Sequence, residues 1–467
     1  MVFSSSVFLF VFLPIVLLGY YIIPNIKLQN IWLFIMSLIF YGFQGYKFVL
    51  FFLLEIIVNW IVGLIIEKNR KRKLSKVILI LGLTFNIGFL IFFKFSNVLL
   101  KIVNNYFSYS IVDIALPIGI SFYTFQEISY IVDVYKGQKC QKNLFNLGLY
   151  FSFFPQLIAG PIVRYKDIVP QLSKRTKSID NISNGFTRFC TGLIKKVLIA
   201  NQLGSFVDYV FARNINELGA EVLWLAAISY TFQIFFDFSG YSDMAIGLAK
   251  MFGFKIKENF NYPYISKNFT EFWKRWHISL SAWFRDYVYI PLGGNKKGTI
   301  ITIRNLIIVW FLTGIWHGST KNFLVWGMIW GLLIIFEKFI FSPEKQSIII
   351  KRLYNCIVLI FVIILWVIFR SNSITLSYNY ILNMFNINSW IMSTSQTKLF
   401  LLSLHEIYIY LILAIIFSVP IYETISKKIK ENKYFIITKY IVFTVLVIIS
   451  ISFIVSGSYN PFLYFQF

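Results

Sequence analysis

The sequence predicts an all-α protein that crosses a membrane many times, with about 11–13 transmembrane helices. Three observations support this prediction. Hydrophobic residues make up 58% of the 467 positions and charged residues only 14%, whereas soluble proteins carry about 25% charged residues. The mean hydropathy is +0.70. The charges are also clustered, which leaves apolar runs close to the roughly 20 residues that a spanning helix needs.

The apolar runs are continuous rather than alternating, which favours helices over a transmembrane β-barrel. A helix satisfies its own backbone hydrogen bonds in lipid, where no water can do so. No linker or internal repeat separates the runs, so we expect one integral membrane domain over residues 1–467. The runs lie at about 7–24, 31–43, 46–66, 77–93, 111–134, 144–160, 186–211, 222–249, 302–318, 322–341, 353–369, 400–423 and 434–456.

Basic loops predict the orientation in the cell membrane. The loop Glu67–Lys76 holds six basic residues and one acidic residue, and such loops stay in the cytoplasm. Counting back along the chain from this loop places the N-terminus outside. The net charge of +24 is explained by basic loops that face an anionic leaflet of membrane lipid. Because no nucleic-acid motif accompanies the charge, nucleic acid is not an expected partner. The three cysteines lack a CxxC spacing and favour neither a zinc site nor disulfides.

The alternation of spans fails at residues 144–165. If the run 144–160 crossed the membrane, the basic segment Arg164–Arg188 would lie outside. Pro155, Gly160 and Pro161 interrupt this stretch, and proline breaks a helix interior. Non-helical backbone is tolerated at membrane depth where protein buries it or where it lines a cavity. We therefore predict a re-entrant segment at about 144–165.

The region 250–300 is too polar to span a membrane and too aromatic to be a free loop. Its pattern predicts amphipathic helices that lie at the cytoplasmic membrane interface. The aromatic residues behind this prediction are Phe269, Phe272, Trp273, Trp276, Trp283 and Phe284.

His317 is the first candidate for chemistry, because it ends an apolar run and lies between Gly314 and Gly318. An ionisable residue at membrane depth needs partners or water. Neutral imidazole can remove a proton from a hydroxyl group, so we hypothesise that His317 is a general base. The alternative is a histidine that only hydrogen-bonds between helices.

His277 follows Trp276 among charged residues. It is either part of an ion-paired interfacial helix or a second functional group that orients the donor. His405 starts a late apolar run without a partner pattern and is predicted to be structural.

Four carboxylates lie within apolar runs, in two pairs spaced six residues apart: Glu127 with Asp133, and Asp237 with Asp243. On a straight helix this spacing places the two members of a pair on different faces. Pairing with Arg or Lys, or hydrogen bonding to Tyr or Ser, is therefore favoured over a two-carboxylate metal site, and no metal is expected. Motifs of α/β hydrolases, P-loop ATPases, zinc peptidases and glycerolipid acyltransferases are absent from the sequence.

Long stretches resemble the membrane-bound O-acyltransferase (MBOAT) family, in its bacterial alginate and polysaccharide O-acetylation branch. The resemblance runs from about residue 110 to the end of the sequence. It is carried by ALPIGISFYTFQEISYIVDVYKGQ, FFPQLIAGPIVRY, SYTFQIFFDFSGYSDMAIGLAKMFGFKIKENFNYPY, NFTEFWKRWHISLSAWFRDYVYIPLGGNKKG, GIWHGSTKNFLVWG and YNPFLYFQF.

This resemblance implies a funnel of helices around a thin membrane centre, with His317 as the catalytic histidine and His277 as a second functional one. It implies a cytoplasmic acyl thioester donor, here acetyl-CoA, with no bound cofactor. The acetyl group would pass to an extracellular polysaccharide with the help of an extracytoplasmic SGNH-type acetyltransferase. Lys274 occupies a position where many relatives carry Arg. Lysine keeps the positive charge there but cannot form the bidentate hydrogen bonds of arginine. The residues assigned to substrate binding are Trp316, Trp273, Arg275, Ser279 and Asp237.

Three alternatives stay open at this point. The first is D-alanyl transfer to teichoic acid from a carrier protein. The second is a proton-coupled transporter or flippase that uses the four carboxylates, for which a second interrupted segment would be expected. The third is a scaffold that only recruits the secreted partner.

Overall fold

A computed structural model describes residues 1–107, 114–390, 393–421, 424, 429, 432–461 and 463. This part of the chain is helical and contains no β-strand. Most of the basic loop Lys427–Lys433, which the rule for basic loops also places in the cytoplasm, lies outside this described part. The last four residues of the terminal motif lie outside it as well. The first ten helices are α1 (Phe8–Ile22), α2 (Ile26–Gly42), α3 (Tyr46–Lys68), α4 (Lys73–Phe107), α5 (Ile120–Tyr135), α6 (Leu144–Ser152), α7 (Phe154–Leu157), α8 (Tyr165–Ser173), α9 (Ile179–Ile194) and α10 (Asn201–Phe211).

The later helices begin with the 32-residue α11. They are α11 (Ala220–Met251), α12 (Phe269–Arg275), α13 (Ile278–Phe284), α14 (Thr299–His317), α15 (Lys321–Phe339), α16 (Ile348–Arg370), α17 (Ile374–Phe385), α18 (Thr394–Phe417) and α19 (Lys433–Val455).

Eight of the described helices are long and apolar enough to cross a membrane: α3, α4, α11, α14, α15, α16, α18 and α19. Two shorter apolar helices, α1 and α2, precede them. These helices confirm the prediction of an all-α protein that passes the membrane several times. Eight of the thirteen predicted runs correspond to these long helices, and the first two correspond to α1 and α2. The other three have no matching long helix, because 111–134 includes the 16-residue α5, 144–160 is broken, and 186–211 falls within α9 and α10.

The described chain divides into two compact units. The first contains Met1–Phe189, Ser242–Glu258 and Ala282–Val288. The second contains Cys190–Tyr241, Asn259–Ser281 and the chain from Tyr289 onwards.

Aromatic packing forms part of the core of the first unit, where α1, α2 and α7 meet. Five buried phenylalanine rings lie within 6.4 Å of one another, centroid to centroid, in nine pairs. Such pairs contribute about 0.5–1.5 kcal/mol each beyond the area they bury. The five are Phe3, Phe8, Phe12, Phe40 and Phe154.

The predicted interruption near residue 155 is present. Helix α6 ends at Ser152, α7 lasts one turn, and the chain is irregular until Tyr165. Side chains satisfy the freed backbone groups. The Tyr150 hydroxyl donates to the Val163 carbonyl oxygen (2.9 Å), and the Phe154 amide donates to Ser37 Oγ (3.1 Å). Buried protein thus supplies the hydrogen bonds that a continuous helix would have made. The re-entrant path through the membrane stays a prediction.

The six aromatic residues on which the prediction for region 250–300 rests are all buried, with at most 7% of each exposed. In the first unit, for example, Trp283 stacks on Phe125 with ring centroids 3.8 Å apart. These rings are packed within the protein and do not form an exposed stripe. The position of α12 and α13 at a membrane interface stays a prediction.

Partners of the predicted carboxylates are visible within each unit. Asp243 accepts a hydrogen bond from Arg188 Nε (2.8 Å), and Asp133 accepts one from the Tyr287 hydroxyl (3.0 Å). In the second unit, Asp237 forms an ion pair with Lys196. These three contacts agree with the predicted role of holding helices together. Glu127 differs, because no hydrogen bond of standard geometry reaches its carboxylate oxygens within the described part of the chain.

The α14–α15 hairpin of the second unit depends on two glycines. A Cβ added at Gly327 would lie 2.6 Å from the Trp310 carbonyl oxygen and 3.0 Å from the Gly314 Cα. A Cβ added at Gly314 would lie 2.7 Å from the Phe323 carbonyl oxygen. The contacting atoms are backbone and cannot move aside, so the helices approach this closely only because both positions lack a side chain.

Gly327→Ala is therefore expected to destabilise the protein by about 1–3 kcal/mol, the usual effect of overpacking. Thermal unfolding in detergent measures this change. Gly88→Ala on α4 is the matched control, because a Cβ there meets nothing within 4 Å. The control should be neutral, or stabilising by up to about 1 kcal/mol. Equal melting temperatures for the two variants would contradict the close crossing.

Candidate functional site

His317 is the last residue of α14, where Gly318 takes an extended conformation and ends the helix. The imidazole is 7% exposed. Three aromatic rings surround it nearly edge-on, with centroid distances of 4.8 Å to Trp316, 5.0 Å to Trp326 and 5.2 Å to Phe369. These rings fix the orientation of the imidazole at the end of the hairpin.

A cavity opens beside His317 within the second unit. It encloses about 310 Å³, including space open to solvent. Apart from His317, its only ionisable lining side chain among the described residues is Asp237. The lining residues are Ile234, Asp237, Phe238, Trp276, His317, Trp366, Phe369 and Leu463. A mostly apolar cavity with two convergent polar groups has the character of a small-ligand site.

Asp237 connects this cavity to the end of the chain. It forms a buried ion pair with Lys196, and the two side chains are 2% and 3% exposed. The second carboxylate oxygen of Asp237 accepts a hydrogen bond from the Leu463 amide (3.1 Å), and the Lys196 ammonium group also donates to the Pro461 carbonyl. The backbone near Leu463 is thus attached to the ion pair and contributes to the cavity wall.

His277 connects α12 to α13 and has a left-handed backbone with φ of 44°. This conformation is uncommon for residues other than glycine, although histidine is among those that adopt it more often. His277 Nδ1 lies 3.2 Å from Asn259 Oδ1, which also accepts hydrogen bonds from the Ser279 amide (3.1 Å) and hydroxyl (2.8 Å). Because Oδ1 can only accept, Nδ1 carries the proton of the neutral ring.

The His277 ring lies next to the cavity and is not part of its wall. Its centroid is 4.7 Å from that of Phe238, which lines the cavity, and 6.1 Å from that of Trp316. Burial lowers the pKa of His277 from 6.5 to about 3. His277 is therefore neutral throughout the physiological pH range.

Two of the residues assigned to substrate binding, Arg275 and Trp273, do not line the cavity. Arg275 Nε donates to Glu271 Oε1 (2.9 Å), and the Arg275 guanidinium also reaches the Asn261 carbonyl (3.0 Å). Trp273 contacts Trp326, with centroids 5.9 Å apart, and does not line the cavity. The structure thus places His317 and Asp237 in one cavity, with Trp316 and His277 beside it. Sequence reasoning missed the following residues: Asn259, Lys196, Trp366, Phe369 and Leu463.

The low pKa of His277 predicts an acid-dependent loss of stability. Between pH about 6.5 and about 3 the unfolded chain binds a proton at this position and the folded chain does not, so stability falls as the pH falls. The expected slope is about 1.4 kcal/mol per pH unit. His277→Gln should remove this contribution. Melting temperatures of the wild type and the variant, measured across this range, test the difference; parallel curves would contradict it.

The sequence is similar to several known proteins. Residues 141–382 match the profile of the MBOAT, membrane-bound O-acyltransferase family. The "Probable alginate O-acetylase AlgI" of Pseudomonas aeruginosa is 42% identical over 401 residues, covering 84% of this chain and 76% of the relative. The "Peptidoglycan O-acetyltransferase" of Helicobacter pylori is 34% identical over 424 residues, covering 83% and 80%. The "Teichoic acid D-alanyltransferase" of Bacillus subtilis is 33% identical over 241 residues, covering 49% and 60%.

The helices and these relatives define a multi-pass membrane enzyme that transfers acyl groups to oxygen. The chain belongs to the membrane-bound O-acyltransferase family. The relatives that align over most of its length are O-acetyltransferases by name. Membership of this family argues against the transporter and scaffold interpretations. Within the described part of the chain, no group of three metal-ligating side chains is present.

Proposed function

We propose that this protein moves an acetyl group from cytoplasmic acetyl-CoA to the cell exterior for O-acetylation of a polysaccharide, with His317 as the general base. The observation that carries the proposal is the placement of His317 and Asp237 in one mainly apolar cavity. Four aromatic side chains crowd the space beside His317: Phe238, Trp276, Trp366 and Phe369. Such a space suits a short acyl group better than a fatty acyl chain.

In the proposed reaction, neutral His317 removes the proton of an acceptor hydroxyl group. The oxygen attacks the thioester carbonyl carbon, a C–O bond forms and the C–S bond breaks. The thiolate of CoA then takes the proton from the imidazolium, so His317 returns to its starting state. Trp276, Trp366 and Phe369 line the cavity. By limiting the access of water, they would protect the thioester from hydrolysis.

The remaining binding roles follow from charge and position. We place the phosphates of the donor against the basic side chains of the region 250–298, since Lys and Arg bind phosphate well. The N-terminus would lie outside, as the basic loops indicate. The acceptor would be a polysaccharide, reached with the help of an extracytoplasmic SGNH-type acetyltransferase. No cofactor beyond the donor substrate is required.

We assign supporting roles to the other predicted residues, according to where they lie. We assign His277 a positioning role. Its ring contacts those of Phe238 and Trp316, and through them it would hold the wall of the cavity in place. Ser279 would support His277, because both side chains make hydrogen bonds to Asn259 Oδ1. We therefore expect substitution of His277 to reduce the rate less than substitution of His317.

Donor identity is the decisive test. The purified protein, reconstituted in lipid nanodiscs with a soluble polysaccharide acceptor and the secreted partner, is supplied with radiolabelled acetyl-CoA or with a D-alanyl carrier protein. We expect label to enter the polysaccharide from acetyl-CoA only. Transfer from the D-alanyl carrier alone would overturn the proposal in favour of the activity named for the Bacillus subtilis relative.

A further inference from the structure

Two glutamates in the first unit are fully buried and take no part in the proposed acetyl transfer. Glu55 lies on α3 and Glu127 on α5, and each is 0% exposed. Within the described part of the chain, no hydrogen bond of standard geometry reaches any of their carboxylate oxygens. Among the residues that the structure describes, neither glutamate forms an ion pair with Lys, Arg or His. The two groups therefore differ from Asp133, Asp237 and Asp243, which all have partners.

The two carboxyl groups share one polar site. They interact electrostatically with each other, and the Tyr123 hydroxyl group interacts with the Glu55 carboxyl group. Tyr41 on α2 also interacts with both glutamates, and its buried hydroxyl lacks a hydrogen bond of standard geometry. Phe52 closes the site, since its ring centroid lies 4.4 Å from that of Tyr123 and 5.1 Å from that of Tyr41.

Neighbouring polar residues do not supply a positive charge. Asn59, one turn along α3, exchanges side-chain hydrogen bonds with Asn86 on α4 (3.0 and 2.8 Å). Burying a carboxylate ion costs several kcal/mol even after the protein relaxes, and two adjacent negative charges add repulsion. A bound cation or bound protons must therefore neutralise the pair.

The geometry favours protons over metal ions. Hard divalent cations take six or more oxygen ligands from carboxylates, carbonyl groups and water, and the described residues contain no cluster of three acidic, His or Cys side chains. A sodium ion would leave one negative charge in the core. Two protons leave none. We propose that Glu55 and Glu127 form a proton-binding pair in which both carboxyl groups are neutral acids in the folded protein. This pair is separate from the proposed acetyl transfer and does not depend on it.

A hydrophobic carbodiimide tests the pair in the full-length protein in nanodiscs. A neutral carboxylic acid adds to dicyclohexylcarbodiimide: its oxygen bonds to the central carbon, its proton moves to nitrogen, and rearrangement gives a stable N-acylurea without a leaving group. Peptide mass spectrometry is expected to find this adduct on Glu55 or Glu127 at neutral pH. Labelling should be lost when Glu55→Gln and Glu127→Gln are combined.

Glu67 is the matched control on the same helix. It accepts hydrogen bonds from the Cys140 amide and thiol (both 2.9 Å) and lies 3.8 Å from Arg70, so it should stay unlabelled. Glu67→Gln should leave the labelling of the pair unchanged. Glutamine matches a neutral acid in size, and the Glu55→Gln/Glu127→Gln protein should therefore melt within a few degrees of the wild type.

An infrared spectrum gives an independent measurement when the reagent cannot enter the core. The carbonyl band of neutral carboxylic acid should be present in the wild type and weaker in the double variant. That band supports the proposal even without an adduct. Absence of both the adduct and the band overturns it. Suppression of labelling when sodium chloride replaces choline chloride also overturns it, because a sodium ion then occupies the site.

Discussion

His317→Ala is expected to lower acetyl transfer by a factor of about 10²–10⁴, the usual contribution of a general base. The protein should still fold, because His317 ends its helix and its neighbours Trp326 and Phe369 also contact each other, with ring centroids 5.0 Å apart. The initial rate of acetyl transfer from acetyl-CoA and the melting temperature should be measured on the same preparation. His317→Gln should be equally inactive, since an amide does not act as a base.

His405→Ala is the matched control for this experiment. His405 is an exposed histidine on α18 and should tolerate alanine with full activity. If the His317→Ala protein transfers acetyl groups at the rate of the control, His317 is not the general base. If the His317→Ala protein loses both its activity and its melting transition, it has not folded. The activity of His317→Gln, which keeps a polar side chain of similar size, then decides.

Asp237→Asn is expected to destabilise the second unit by about 3–5 kcal/mol, because it leaves the Lys196 charge buried without its counter-ion. The Leu463 amide would lose its charged acceptor as well. Acetyl transfer should fall along with stability, since Leu463 forms part of the cavity wall. Chemical unfolding, together with digestion of the chain end by carboxypeptidase, measures both effects. Combining Asp237→Asn with Lys196→Met should recover part of the stability.

Asp243→Asn, six residues further along α11, provides the comparison. Its partner Arg188 is 37% exposed and keeps a second carboxylate, Glu258, at 2.6 Å. Partly exposed pairs contribute about 0–1 kcal/mol, so this variant should lose little stability. If Asp237→Asn and Asp243→Asn lose equal amounts of stability, the buried ion pair contributes no more than the partly exposed one.

The sequence predicts the helical membrane class well because lipid allows few alternatives. The break near Pro155 was also predictable, since proline acts locally. His317 could be selected because an ionisable residue at the end of an apolar run has few ordinary explanations. The structure places it beside Asp237 in one cavity.

The rest of the site depends on contacts between distant parts of the sequence. Lys196 and Leu463 meet at Asp237 although they are 267 positions apart. Asn259 organises His277 and Ser279 from a segment without any motif of its own. Trp273 and Arg275 belong to a conspicuous motif, yet they pack against other protein groups. Local patterns identify residue types that suit a role, but only the tertiary structure decides which of them share a cavity.

The ion pair of Lys196 and Asp237 also constrains how this lineage can change. A substitution at either position alone leaves a buried charge and should be eliminated by selection, whereas loss of both charges together can be tolerated. Divergent homologues are therefore expected to inherit both residues or to have replaced both. Intermediates with only one of the two should be rare, unless another residue has taken over the missing charge.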